Sequence, residues 1–412
     1  MFPAPLINLV MREASVERFP VGRTVLLGAM FTGMGMTLPI FNHFVPIFLR
    51  ELGLSATLTA FVLTWDNYIN MFMQPLVGQL SDNTRTRLGR RKPWVLAGAP
   101  IALTAFLFVP SVGTATAMMV AIFCTNFGNA LFRSPGVALI GDLYPPSQRS
   151  MANAIINLML GLGGALAYFL GGRLYGEFGR EAPFVFGSTV MLVALGVAIL
   201  FVHEPKQLLY EPDEKEAGLS EVIRTLTRLR NPAMLWMLAA ILSWFMAFTA
   251  LEASLSVIGK EVLGISPDKM GTFVAFIPAA FLLATLPSGW LATRLGRKPV
   301  IMVGIVGLTA LLVYGYFVQS VPMLLGFLIP AGVLWAFVNV NSLPLLYDTA
   351  PQLRAGILTG LYYFASNLAA VLGPQLSGVL VDVLGGNYRY VFLYGACFMG
   401  LAVLCLTAVR VR

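Results

Sequence analysis

Apolar residues run through this chain in long blocks, separated by short polar stretches. Runs of about 20 apolar residues, each long enough to cross a hydrocarbon core of ~30 Å, recur from one end to the other. They lie near 24–49, 58–80, 94–110, 114–141, 150–172, 183–203, 233–258, 270–292, 299–319, 321–347, 355–381 and 389–409. Lipid offers backbone groups no partners, so the pattern predicts an all-α membrane protein of twelve transmembrane helices. Pro39, Pro46, Pro278 and Pro287 predict kinks, and the small residues Gly161, Gly163, Gly164 and Ala165 predict a close helix–helix contact.

Composition agrees. Only 11% of the residues are charged against 58% hydrophobic, where a soluble domain carries about 25% charged. The stretch before residue 24 lacks the order of a cleaved signal, so the first span is expected to stay as a helix. Cys124, Cys397 and Cys405 fall within spans at no metal or disulfide spacing and read as packing residues.

The basic residues set the topology. If both termini share one side, that side receives 20 Lys and Arg, the other receives 6, and Arg133 is left within a span. The positive-inside rule then makes both termini cytoplasmic, and an integral plasma (inner) membrane protein is expected. The net charge of +8 reports this topology, with the lipid bilayer and no nucleic acid as partner.

The longest polar segment, 204–232, separates six spans from six. The expected organisation is an N-terminal six-helix bundle (1–203), a cytoplasmic linker (204–232) and a C-terminal six-helix bundle (233–412). Within the linker, Val222, Leu226 and Leu229 fall on one stripe, which suits either an interfacial amphipathic helix or a solvated tether. The halves echo each other: RLGRRKPWVLAG (87–98) matches RLGRKPVIMVG (294–304), and Asp142 to Arg149 matches Asp348 to Arg354. Two echoes in the same order indicate a duplication.

Gly78-x-x-x-Asp82 followed by Gly89-Arg90-Arg91 resembles the cytoplasmic loop signature of the major facilitator superfamily. The longer loop DNTRTRLGRRKPW resembles that of the glycoside–pentoside–hexuronide cation symporters. QPLVGQLSD resembles sucrose and proton-linked sugar carriers. The resemblance implies two pseudo-symmetric six-helix bundles around a central cavity that opens to alternate sides, an architecture for which the superfamily is the standard example. It also implies gating roles for Gly78, Asp82, Gly89, Arg90 and Arg91, with Asp142 and Arg149 forming a second cluster. Exposed ion pairs are weak enough, ~0–1 kcal/mol, to form and break in each cycle.

Ionisable residues inside spans are costly and point to function. Asp66, Asn70 and Gln74 share one helical face, with Asp66 a candidate for proton or cation coupling. By the resemblance, the cation-binding carboxylates of melibiose-type symporters fall on Asn70 and Gln74, which favours a proton over sodium. Glu252 follows Trp244 and Phe248 at four-residue steps, an acid and two rings that suit a sugar-facing wall. Asn126, Asn129 and Arg133 share a face of the fourth span, where Arg133 could bind hydroxyls or pair with a carboxylate. His43 reads as a relay or a hydrogen-bonded core residue. Asn339, Asn341, Tyr363 and Asn367 suit sugar hydroxyls or helix–helix bonds.

The expected function is proton-coupled symport of a disaccharide or related glycoside, by a monomer with no cofactor beyond the coupling ion. Two alternatives stay open: a proton-driven exporter of sugars or amphipathic compounds, and a non-transporting sugar sensor. No nucleophile–base pair, metal cluster or phosphate-cradling motif is visible, so an enzyme is not expected.

Overall fold

The computed structural model describes residues 19–204, 231–350, 352–353 and 355–409. Most of the linker, including its apolar stripe, lies outside them. In chain order the helices are α1 (Val21–Glu51), α2 (Ala56–Leu63), α3 (Trp65–Asn83), α4 (Lys92–Phe108), α5 (Ala115–Leu143), α6 (Pro146–Phe178) and α7 (Ala182–Phe201). After the linker come α8 (Pro232–Val257), α9 (Pro267–Val274), α10 (Phe276–Leu295), α11 (Arg297–Tyr316), α12 (Val321–Thr349), α13 (Ala355–Val383) and α14 (Tyr390–Ala408). Proline in the first turn, where its missing N–H costs nothing, opens α4, α6, α7, α8, α9 and α12.

Among the described residues, eleven segments are long and apolar enough to cross a membrane. The twelfth crossing is α2 and α3 together. A break at Thr64 divides it, and Asp66, Asn67, Asn70 and Gln74 dilute the apolar character of α3. Thr64 turns its hydroxyl back to the Phe61 carbonyl at 2.9 Å, a local bond that competes with the helix ladder. Its counterpart in the second half breaks at Ala275, between α9 and α10. Pro278 accounts for that break: it cannot donate to the Val274 carbonyl, and its ring crowds that oxygen.

Helices α1–α7 pack around two apolar clusters, one centred on Phe31, Phe132 and Tyr144 and one on Phe44, Phe48, Phe106 and Phe184. Helices α8–α14 pack around one cluster that includes Trp244, Phe327 and Phe392. Glycines bring backbones together, as where Gly98 of α4 meets Gly128 of α5.

The halves are joined at the end remote from the RLGR loops. There His43 Nε2 bonds the Pro267 carbonyl at 3.0 Å and Arg50 pairs with Glu261 at 3.0 Å. Asp382 accepts from the Ala56 and Thr57 amides at 2.9 and 2.8 Å. Gln375 donates to Thr64 Oγ1 at 3.1 Å and to the Tyr68 hydroxyl at 2.7 Å. Backbones also touch here: a Cβ on Gly172 of α6 would fall 2.3 Å from the Asp268 carbonyl oxygen of α9. Only a residue without a side chain fits at Gly172.

Candidate functional site: a carboxylate pair between the halves and a charged cluster at the loop end

Asp66 lies in the first turn of α3, just past the break at Thr64. The amides at the restart of the helix point toward the carboxylate and favour a negative charge there. Its carboxylate faces the Asp66 and Asn67 amides and lies within electrostatic reach of Arg133 on α5. Glu252 of α8 lies within reach of Asp66 and of Tyr168 on α6. Asp66 thus lies within electrostatic reach of a carboxylate from the other half and of a guanidinium from its own. Glu252 and Arg133 retain exposed surface.

Around this group the remaining polar candidates divide. Asn70 is partly buried with an unpartnered Oδ1, and Asn126 is buried with an unpartnered Nδ2. Asn126 and Asn129 line a recess with Thr37, Phe41 and Met191 inside the first bundle. Gln74 is tied to α5 through its backbone carbonyl, which accepts from Ser134 Oγ at 3.1 Å. Tyr363 and Asn367 form an exposed i, i+4 pair on α13. Asn339 is partly buried, and its carbonyl accepts from Ser342.

Three candidates have other surroundings. Trp244 is 0% exposed in the core of the second bundle, so the Trp244–Phe248–Glu252 stripe is not one continuous wall. Phe248 instead stacks on Trp335 with ring centres 4.1 Å apart. Asn341 is buried and donates to Ser288 Oγ at 2.9 Å and to the Phe337 carbonyl at 3.0 Å, a bond between α12 and α10. His43 is buried at the junction of the halves, edge-on to Phe44 and Tyr168.

The loop-end cluster is built on Asp142, which is 6% exposed by its side chain, so its ion pairs with Arg90 and Arg91 are buried and not the exposed, weak pairs expected from the sequence. Asp142 takes Arg90 at 3.0 Å and Arg91 at 2.9 Å. Arg91 also pairs with Asp82 and donates to Ser81 Oγ. Burial alone would lower the Arg91 pKa, but Asp142 and then Asp82 outweigh it and hold the guanidinium above its ordinary range. Gly78 sits close to Ser134, 3.3 Å from a Cβ built there. Arg149 donates to the Tyr144 and Gly141 carbonyls at 3.0 and 3.1 Å, on either side of Asp142 in the chain.

Sequence reasoning missed Glu204. Its carboxylate accepts from the Arg90 amide at 2.7 Å and the Arg91 amide at 2.9 Å, satisfying free donors at the start of α4. Gly89 makes room for it with a φ of 108°. The duplicated loop also repeats its bonds. Lys92 donates to the Ile199 carbonyl at 2.7 Å, and Lys298 to the Val409 carbonyl at 2.5 Å. Arg91 pairs with Asp142, and Arg297 with Asp348 at 2.6 Å. In both halves the loop ties the third span to the fourth and the sixth.

Comparisons with known proteins agree with this architecture. A family model described as Major Facilitator Superfamily matches residues 25–281 and 260–412. Multidrug resistance protein 2 of Bacillus subtilis (strain 168) is 25% identical over 378 residues, covering 90% of this chain and 89% of the relative. Sucrose transport protein SUT2 of Oryza sativa subsp. indica is 22% identical over 298 residues, covering 62% of this chain and 60% of the rice protein. Among solved structures, a bacterial homolog to the human lysosomal transporter Spinster, inward-facing and occupied, superposes with a TM-score of 0.75 at 15% identity. The match covers 97% of this chain and 98% of that one.

Proposed function

We propose, given that the chain belongs to the Major Facilitator Superfamily, that it couples proton movement to uptake of a disaccharide or related glycoside. The observation that carries this reading is the placement of Asp66 and Glu252, one from each half, within electrostatic reach of each other, with Asp66 also in reach of Arg133. A carboxylate in mid-membrane is costly, and two within electrostatic reach of each other more so. One proton removes one of the negative charges. Arg133 offers a planar donor fork to the other carboxylate or to sugar hydroxyls. A half-loaded cavity would hold an uncompensated charge between the bundles as they close, which ties sugar movement to proton movement.

The sugar reading draws on the relatives named for sucrose transport, on Asn70 one turn beyond Asp66 and on Tyr168 beside Glu252. The six-helix bundles 1–203 and 233–412 rock about the site, with 204–232 as the tether. Gly78, Asp82, Gly89, Arg90, Arg91 and Asp142 stiffen the loop end. With 20 basic residues on that side, the loop end faces the cytoplasm. The contacts that join the halves are then external, and the cavity opens inward. Asn70, Tyr363 and Asn367 are the polar groups that would reach the sugar directly, with Asn126 and Asn129 in the recess of the first bundle.

A second reading has its own support. The relative matched over 90% of this chain is named for multidrug resistance, and a pair of carboxylates also suits a cationic cargo. Counterflow in proteoliposomes, with a panel of glycosides and hydrophobic cations, separates the two. Exchange of a glycoside alone supports the proposed function, and exchange of cations alone replaces it with export.

A further inference from the structure

The strings that follow the first span of each half carry the same chemistry in the same order. Arg50-Glu51-Leu52-Gly53-Leu54-Ser55 joins α1 to α2, and Lys260-Glu261-Val262-Leu263-Gly264-Ile265-Ser266 joins α8 to α9. Each has a base, an acid, a glycine at positive φ (85° and 63°), a buried aliphatic residue and a serine at the N-cap of the next helix. The second string is one residue longer. A π-helical turn, Ile258–Val262, overlaps the start of this string, the usual form in which one extra residue is absorbed into a helix.

In the fold the two strings face each other and pair crosswise. Arg50 donates through Nε to Glu261 Oε1 at 3.0 Å and through Nη2 to Oε2 at 3.3 Å. Lys260 Nζ lies 2.5 Å from Glu51 Oε1. Arg180 approaches the other Glu51 oxygen at 3.9 Å, and the Arg50 guanidinium lies 5.4 Å from the Tyr388 ring centre. The base of each half thus holds the acid of the other, the self-complementary exchange that two-fold-related surfaces make. Placing equivalent residues opposite each other would set Arg50 against Lys260 and Glu51 against Glu261. The crosswise register avoids both repulsions.

We propose that this reciprocal double ion pair is the latch that holds the far end shut, and that both pairs part together when the cavity turns outward. The proposal rests on the alternating-access reading above, but not on the sugar or the coupling ion. The paired side chains keep 23–36% of their surface exposed, so water competes for them and each pair is weak. Weakness suits a latch that opens in every cycle. Two pairs released in one motion add their biases.

The test measures the opening itself, with neither substrate nor gradient. Spin labels are placed on cysteines at Leu58 and Lys269, exposed positions on opposite sides of the junction, with the three native cysteines replaced by alanine. In the full chain, R50E or E261R alone is expected to raise the wide-distance population at least about threefold, since attraction becomes repulsion. The R50E/E261R variant is expected to reverse more than half of that rise. E51K, K260E and their double variant repeat the test on the second pair. Size exclusion and melting establish that each variant is folded. Unchanged distances in the single variants, or double variants as open as the sum of their singles, would overturn the latch.

Discussion

Replacing Gly89 with alanine probes the loop-end cluster through two separable effects. The backbone there has φ 108°, and an L side chain in the left-handed region costs about 1–2 kcal/mol. The new Cβ would also fall 2.3 Å from Glu204 Oε2 and 2.6 Å from its Cδ. Glu204 would have to leave the Arg90 and Arg91 amides. A hydrogen bond to a charged group contributes about 1.5–3 kcal/mol, so with water partly replacing the lost bonds the eviction costs about 2–3 kcal/mol. Gly296, in the duplicated loop, supplies the control. It has φ 88°, but the nearest atom to its Cβ is Pro299 Cδ at 3.6 Å, so Gly296→Ala meets only the backbone cost. Equilibrium unfolding of the purified protein in mixed micelles should therefore show Gly89→Ala losing about 2–3 kcal/mol more than Gly296→Ala. In a Glu204→Ala background that excess should disappear. Equal losses at the two glycines, or an excess that survives removal of Glu204, would refute the reasoning.

Other expectations follow from the same geometry. Asp142→Asn leaves Arg90 and Arg91 without their shared buried partner and should lower stability by about 3–5 kcal/mol, read in the same unfolding experiment. Gly172→Ala sets a methyl against the Asp268 backbone of the other half. It should hold the far end apart, seen as a wider Leu58–Lys269 label distance without loss of fold. Trp244→Phe alters a core residue: unfolding stability should fall by about 1–3 kcal/mol, while ligand affinity from a thermal-shift titration stays within about twofold.

The helices were legible because hydropathy and length decide them in a bilayer, and Asp66 and Glu252 because a charge in mid-membrane demands a reason. The break at Thr64 was not, since it depends on a side chain that bonds its own helix and receives Gln375 from the other half. Trp244 and Phe248 recur at helical spacing, but α8 is apolar almost all round. Periodicity could not say which stripe faces the cavity and which the core. Asn341 has the composition of a sugar ligand, and only its bond to Ser288 identifies it as a tie between helices. Glu204 finds its partners more than a hundred residues earlier in the chain. The Arg50-Glu51 and Lys260-Glu261 echo did stand in the sequence. Its one-residue offset hid it, and the crossing of the pairs becomes visible only in three dimensions.

Sugar-induced proton movement in proteoliposomes tests the central proposal most directly. Adding a transported glycoside outside vesicles at uniform pH should draw protons in with the sugar and raise the external pH. In Asp66→Asn that signal should vanish, while sugar counterflow persists. Sugar uptake with no proton signal in the unmodified protein, or uphill accumulation that survives Asp66→Asn, would contradict the account.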